Sequence, residues 1–283
     1  MTKISHVFLI FLFVGCTNYG QLQVITDLPK KLSENSGIVQ FDEESIWVIE
    51  DNGNKDKIYK VDFKGKLLQE LKVKNAKNND WEDLTSDKKG NLYIGDFGNN
   101  ANDRKNLVIY KLPNPEIEAG DKIDAERIEF RYPQQKDFPP RRELLLYDSE
   151  AFFYHKDHFY IITKNRANPF TGEALIYRVP AKKGNYNATL LGKIKTCEDS
   201  DTCQITSADI SPDGKTVVLL GCGKLWMLTD FPEDDFSKGK LTEIDLGVRT
   251  QLESVCFKNA NTLLLSDEVR DNTGGNLYSY SLK

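Results

Sequence analysis

Long apolar runs are nearly absent from this chain of 283 residues. The longest, Val7 to Val14, is too short to span a bilayer and follows a single Lys, so it has the shape of a signal-peptide core, not of a membrane anchor. Helical periodicity is missing as well, because no stretch of about eleven residues repeats its apolar positions at 3.6. Only 3 histidines occur, and no Gly-rich phosphate loop, no Ser/His/Asp arrangement and no zinc-like Cys or His spacing is present. A cationic excess is lacking too. With 38 Lys and Arg against 43 Asp and Glu the net charge is -5, which gives no general attraction to nucleic acid or anionic membrane.

The leader over residues 1–20 predicts export. Two processing outcomes stand open. In "FVGC", Gly15 and Cys16 resemble the lipobox of bacterial lipoproteins, which leaves Cys16 as a lipid-bearing N-terminus. Ordinary cleavage near Gly20 or Gln21 is the other. The mature chain is then periplasmic, secreted or held at the cell envelope, and touches a membrane only through that anchor. In an oxidising compartment, "TCEDSDTC" predicts a loop disulfide between Cys197 and Cys203, while Cys222 and Cys256, in apolar strands, read as buried thiols.

What the sequence does contain is short alternating strands rich in Tyr, Val, Ile and Leu, separated by Gly, Asn, Asp and Pro. Five segments align: "SGIVQFDEESIWVIED", "EDLTSDKKGNLYIGDF", "EAFFYHKDHFYIITKN", "SADISPDGKTVVLLGC" and "ESVCFKNANTLLLSDE", starting at Ser36, Glu82, Glu150, Ser207 and Glu253. Each holds a strand, a tight polar turn and a second strand. A third strand with an aromatic follows in all five, and a fourth in the first four. The strand "QLQVITDL", from Gln21 to Leu28, stands ahead of the first repeat without a repeat of its own. Residues 21–283 therefore predict one all-β domain, a β-propeller of five four-stranded antiparallel blades whose last blade is closed by the N-terminal strand. A six-bladed propeller is the alternative, but Tyr110 to Asp148 holds too few strand-like runs for a further blade.

Blade topology turns the repeat into a site. The first strand of each blade lines the central channel, so Ser36, Glu82, Glu150, Ser207 and Glu253 are expected to converge at one height. The residues 14 positions on lie at the end of the second strand and return to the same mouth. They bring Glu50 with Asp51, Asp96, Lys164 with Arg166, and Asp267 with Glu268. Three carboxylates in a narrow channel repel unless protons or a cation intervene. An oxygen-only donor set of this kind suits a hard ion, and Ca²⁺ accepts it more readily than Mg²⁺. A polar channel filled only with water is the competing reading. His155 and His158 fall at a hairpin turn on the opposite face, Trp47, Trp81 and Trp226 read as packing between blades, and Asp80 and Asp83 as caps of the turn into their strand.

The ordered set "NSG" at Ser36, "DWEDL" at Glu82, "DSEAFF" at Glu150, "TSADI" at Ser207 and "QLESVCF" at Glu253 resembles the central calcium ring of the calcium-activated nucleotidases, secreted apyrases built as five-bladed propellers. "EDNGNKDKIYKV", "KNRANP" and "LLLSDEVRD" extend the resemblance over nearly the whole mature chain. It implies a Ca²⁺ cofactor and hydrolysis of nucleoside di- and triphosphates, with Asp51, Asp96 and Glu268 as catalytic candidates and Lys164 and Arg166 holding phosphate. Asn52, Gly53 and Asn54 depart from the family pattern, which carries a basic residue and a hydroxyl there. Three functions remain open: a monomeric Ca²⁺-dependent phosphohydrolase, a non-catalytic propeller binding a ligand or partner at its mouth, and a lactonase- or phytase-like hydrolase.

Overall fold

The structure, a computed structural model, describes residues 19–271 and 273–282. Residues 1–18, which hold Cys16 and all but the last two residues of the leader, lie outside the described residues. Strand β1 (Gln23–Asp27) comes first, and blade 1 follows as β2 (Asn35–Asp42), β3 (Ser45–Glu50), β4 (Lys57–Asp62) and β5 (Leu67–Lys74). Blade 2 comprises β6 (Trp81–Ser86), β7 (Leu92–Asp96), β8 (Leu107–Leu112) and, after the short β9 (Lys122–Asp124), β10 (Glu126–Arg131). Blade 3 has β11 (Asp148–His155), β12 (His158–Lys164), β13 (Glu173–Pro180) and, after β14 (Gly184–Asn187), β15 (Thr189–Lys195). Blade 4 is β16 (Ser207–Ile210), β17 (Val217–Gly221), β18 (Lys224–Thr229) and β19 (Lys240–Asp245), and blade 5 is β20 (Leu252–Asn259), β21 (Thr262–Asp267) and β22 (Asn276–Ser281).

Local chemistry sets the reversals between these strands. In the β6–β7 turn, Asp87 Oδ1 accepts the N–H groups of Lys89 and Asn91 at 2.9 and 3.0 Å, and Gly90 takes φ +84°, a left-handed backbone that side chains resist. The turn residues thus dictate a hairpin before any packing is considered.

β1 pairs antiparallel with β22, Gln23 opposite Ser279 and Asp27 opposite Asn276, so the N-terminal strand completes the last sheet. The inner strands β2, β6, β11, β16 and β20 adjoin one another in turn, and β20 returns to β2. The chain is an all-β, five-bladed propeller. It departs from four strands per blade in two places: β9 lies parallel to β5 on the rim of blade 1, and β14 parallel to β10 on the rim of blade 2. Each covers an outer edge whose N–H and C=O groups would otherwise be unpaired, which gives these short excursions a physical role.

The core is divided into layers between blades. One layer joins Trp47 of β3 to Trp81, Ile94 and Tyr110 of blade 2, another packs Phe97 and Phe130 against Phe152 and Phe159 of blade 3, and three more complete the ring. Trp47, Trp81 and Trp226 are fully buried here, and each indole N–H finds an acceptor, Glu116, the Lys77 carbonyl and Glu243 respectively.

Candidate metal and anion site at the channel mouth

Four inner strands carry a bulge at their start. The register slips by one residue between Asn35 and Gly37, Trp81 and Asp83, Ser149 and Ala151, and Leu252 and Ser254, which makes Ser36, Glu82, Glu150 and Glu253 the extra residues. A bulge bends its strand and re-aims the side chain, so these four leave the ladder where the channel opens. Blade 4 differs from the even spacing. Ser207 pairs directly with Leu220, and Thr206, whose N–H bonds the Leu220 carbonyl at 2.9 Å, takes the bulge position. Its contacts agree: Ser36 Oγ donates to the Trp81 carbonyl at 2.8 Å, and Thr206 Oγ1 donates to the Leu252 carbonyl at 2.8 Å, in each case the residue before the next blade's Glu. The chain from Ser207 to Leu220 is one residue longer than the equivalent run from Asp83 to Gly95, so a fixed spacing lands one residue late.

Ser207 stands one step deeper, and there Asp83 governs. Asp83 is fully buried. One of its oxygens accepts the Leu84 N–H at 2.9 Å; the other accepts the Phe152 N–H at 3.3 Å, Ser207 Oγ at 3.1 Å and the Ala208 N–H at 3.3 Å. It therefore reaches from blade 2 to blades 3 and 4 across the axis. Burial holds its carboxyl well above the usual range against those four hydrogen bonds. Gly37 closes the same level from blade 1, since a Cβ there would lie 2.8 Å from the Leu84 nitrogen. Asp83 is thus a plug and not a turn cap.

Above the plug, carboxylates gather. Oxygens of Asp51, Asp80 and Glu82 all lie within 4.8 Å of one another. Asp51 comes from the end of β3 and Asp80 from the residue pair ahead of Glu82. Asn52 Nδ2 donates to Asp80 Oδ1 at 2.6 Å and holds it in place. Gly98 makes room for the group: a Cβ there would sit 1.9 Å from Glu82 Oε1 and 2.5 Å from Asp80 Cγ. Burial, with Glu150, Asp51, Asp80 and Asp148 adding to it, pushes Glu82 well above the ordinary range. Asp51 is raised to about 7 by burial and then by Asp80, Glu150 and Glu268, and Glu268 to about 7 by burial with Glu34 and Glu150. Glu253 rises to about 8, burial again leading, with Lys164 opposing and Glu150 and Glu268 adding. Such a cluster is satisfied either by protons or by a cation. The donors are all oxygen and carry several negative charges, and the glycine cradle leaves them accessible to one another, so the set fits a hard divalent ion and not a soft one.

Beside the acids lies a cationic wall. The Lys164 ammonium pairs with Glu150, and Arg166 spans Asp148 at 2.7 Å and Glu150 at 2.9 Å. Burial alone would lower both; Glu150 and Glu253 outweigh it for Lys164, and Asp148 and Glu150 for Arg166, so both are held more firmly protonated. These two open onto a cleft of about 410 Å³ that also receives Arg249, Arg270 and Glu253. Among the described residues Arg249 and Arg270 form no ion pair.

Other sequence candidates stand apart from this mouth. Asp96 is fully buried and held by Arg104 at 2.8 Å, Asn79 at 2.9 Å and the Asp80 N–H at 3.2 Å, a partner set that anchors the loop carrying Asp80. Asp267 is likewise sealed, taking the Asn276 N–H at 2.8 Å and the Tyr278 hydroxyl at 2.8 Å. His155 lies at the opposite opening, 3.2 Å from Asp234. Cys197 and Cys203 form a disulfide with Cα atoms 5.4 Å apart; Cys256 is buried and Cys222 half-buried.

Fold and site together define a five-bladed propeller with an acidic cluster and a cationic cleft at one channel mouth. No family model matches the chain, and no curated protein matches its sequence. Solved structures similar to it include the PQQ-bound aldose sugar dehydrogenase of Streptomyces coelicolor, at 11% identity and TM-score 0.49 over 92% of this chain and 98% of that one. Virginiamycin B lyase of Staphylococcus aureus matches at 17% identity and TM-score 0.43, over 90% of this chain and 69% of that one. The gluconolactonase XC5397 of Xanthomonas campestris matches at 12% identity and TM-score 0.48, over 89% and 73%. The five sheets and their closure, not these similarities, define the fold.

Proposed function

We propose that the channel mouth binds calcium through Asp51, Asp80 and Glu82, and that the chain is an exported, calcium-dependent hydrolase of phosphate esters or phosphoanhydrides, nucleotides among them. One observation carries the reading: a carboxylate cluster suited to a hard cation shares a mouth with Lys164, Arg166, Arg249 and Arg270. A multiply charged phosphate is the ligand whose chemistry calls for both. Bound calcium would supply Lewis acidity and offset the charge that develops on the phosphate oxygens. Lys164 and Arg166 would hold those oxygens, Arg166 as a planar fork. Glu268, raised to about 7, is poised to take a proton from an attacking water near neutral pH. Glu150 orients Lys164 and Arg166 through its two ion pairs. The short apolar leader and the Cys197–Cys203 bridge support export to an oxidising compartment.

A second reading has its own observation. Lys164 and Arg166 are already paired with Glu150 and Asp148, which suits a mouth that binds a ligand without turning it over. Phosphate release separates the two. Purified protein with Ca²⁺ is screened against nucleotides, sugar phosphates, phytate and lactones. Arg166→Ala is expected to lower phosphate release by a factor of about 10²–10³ and, because it leaves buried Asp148 and Glu150 short of a partner, to lower the melting temperature as well; Arg166→Lys, which keeps the charge but loses the fork, should lose activity with a smaller drop in melting. Calcium-dependent ligand binding without turnover of any ester would instead establish the binding role.

A further inference from the structure

A second charged cleft opens on the rim of blade 2, between the β7–β8 loop and the segment after β10. It holds about 580 Å³, and its charged lining is Arg104, Lys105, Arg131 and Lys136, with no Asp or Glu. This reverses the sign of a chain whose net charge is -5. Among the described residues Lys105, Arg131 and Lys136 pair with no carboxylate. Like charges converging without counterions repel, and a bound anion removes that repulsion. The donors are also arranged for one. Arg131 donates Nε–H to Asn187 Oδ1 at 2.6 Å, which orients the guanidinium and leaves both Nη groups for an oxyanion. The Lys105 ammonium lies 4.8 Å above the Phe138 ring, which keeps it at the cleft. Arg104 is held by Asp96 and adds positive field. Leu107 and Tyr132 are buried behind the cationic rim, and Phe138 is half-buried at the opening.

We propose that this cleft binds a small organic oxyanion, with a phosphate, sulfate or carboxylate head on Arg131, Lys105 and Lys136 and a ring against Phe138. The site is separate from the channel mouth and does not depend on the hydrolase reading. Calorimetric titration of the full chain with phenyl phosphate and with inorganic phosphate, both in chelator so that no turnover occurs, tests it. Phenyl phosphate is expected to bind the more tightly of the two. Replacing Arg131 and Lys136 together by Ala, both exposed, is expected to weaken it by at least about tenfold. Phe138→Ala should bring phenyl phosphate down to the affinity of inorganic phosphate, and Arg166→Ala should change neither. No saturable binding, equal affinity of the two probes for the wild-type chain, or binding abolished by Arg166→Ala but not by the rim double variant would each overturn the proposal.

Discussion

If protons and a cation compete for the carboxylates at the mouth, calcium should stabilise the fold strongly at alkaline pH and hardly at all in acid. Asp51 and Glu268 stand at about 7 and Glu253 at about 8, all above their unfolded values. The metal-free folded chain therefore holds more protons than the unfolded chain from roughly pH 4 to 8, and its stability falls as pH rises through that window. A cation reverses the trend, because it needs the ionised carboxylates. At about pH 8, calcium at 100 times its Kd adds about 2.7 kcal/mol, or roughly 5–10 °C in melting temperature for a domain of this size. Near pH 5, ionising a single group of pKa about 7 costs about 2.7 kcal/mol, a hundredfold loss of affinity. At the same calcium concentration only about 0.4 kcal/mol remains, a shift of about 1 °C. Scanning calorimetry of chelator-stripped protein, with and without added Ca²⁺ at both pH values, measures the difference. Equal shifts at the two pH values, or none at the higher, would refute the reasoning.

Gly98→Ala should abolish the calcium shift while leaving the metal-free melting temperature within a few degrees, since its Cβ would intrude on Glu82 and Asp80 and on no core residue among its nearest neighbours. Asp83→Ala strands three buried N–H groups, of Leu84, Phe152 and Ala208, and should cost roughly 3–9 kcal/mol in denaturant unfolding; a loss under about 1 kcal/mol would deny Asp83 its structural role. Replacing Cys197 and Cys203 by Ser, which opens a loop with a sequence separation of 6, should cost about 2 kcal/mol by the same measurement and leave calcium binding intact.

The blade count was readable in the sequence because each hairpin is dictated locally, by Asp, Gly and alternating strands. The closing strand was readable because β1 had no repeat of its own. The outer strands β9 and β14 were not, since three or four residues whose pairing is with a distant rim carry little local pattern. Glu82, Glu150 and Glu253 were visible as a period, but a period assumes equal hairpins. The longer hairpin of blade 4 put Thr206 in place of Ser207. Asp80 was hidden because it precedes its strand, so neither alternation nor repeat marks it; only the return of Asp51 and the space at Gly98 reveal its place. Asp96 shows the converse. Its spacing was right, yet Arg104, close in sequence, seals it.

The hydrogen bonds of Asp83 that floor the acidic mouth are the same ones that hold blades 2, 3 and 4 to one another. A ligand at the acidic mouth would therefore rest on a floor that cannot give way without parting three blades. The opposite basin, lined by Asp209, Cys256 and His155, lies beyond that floor, and there burial, with Asp209 and then Asp83 adding to it, raises the Cys256 thiol, so one carboxylate is felt at both ends of the axis.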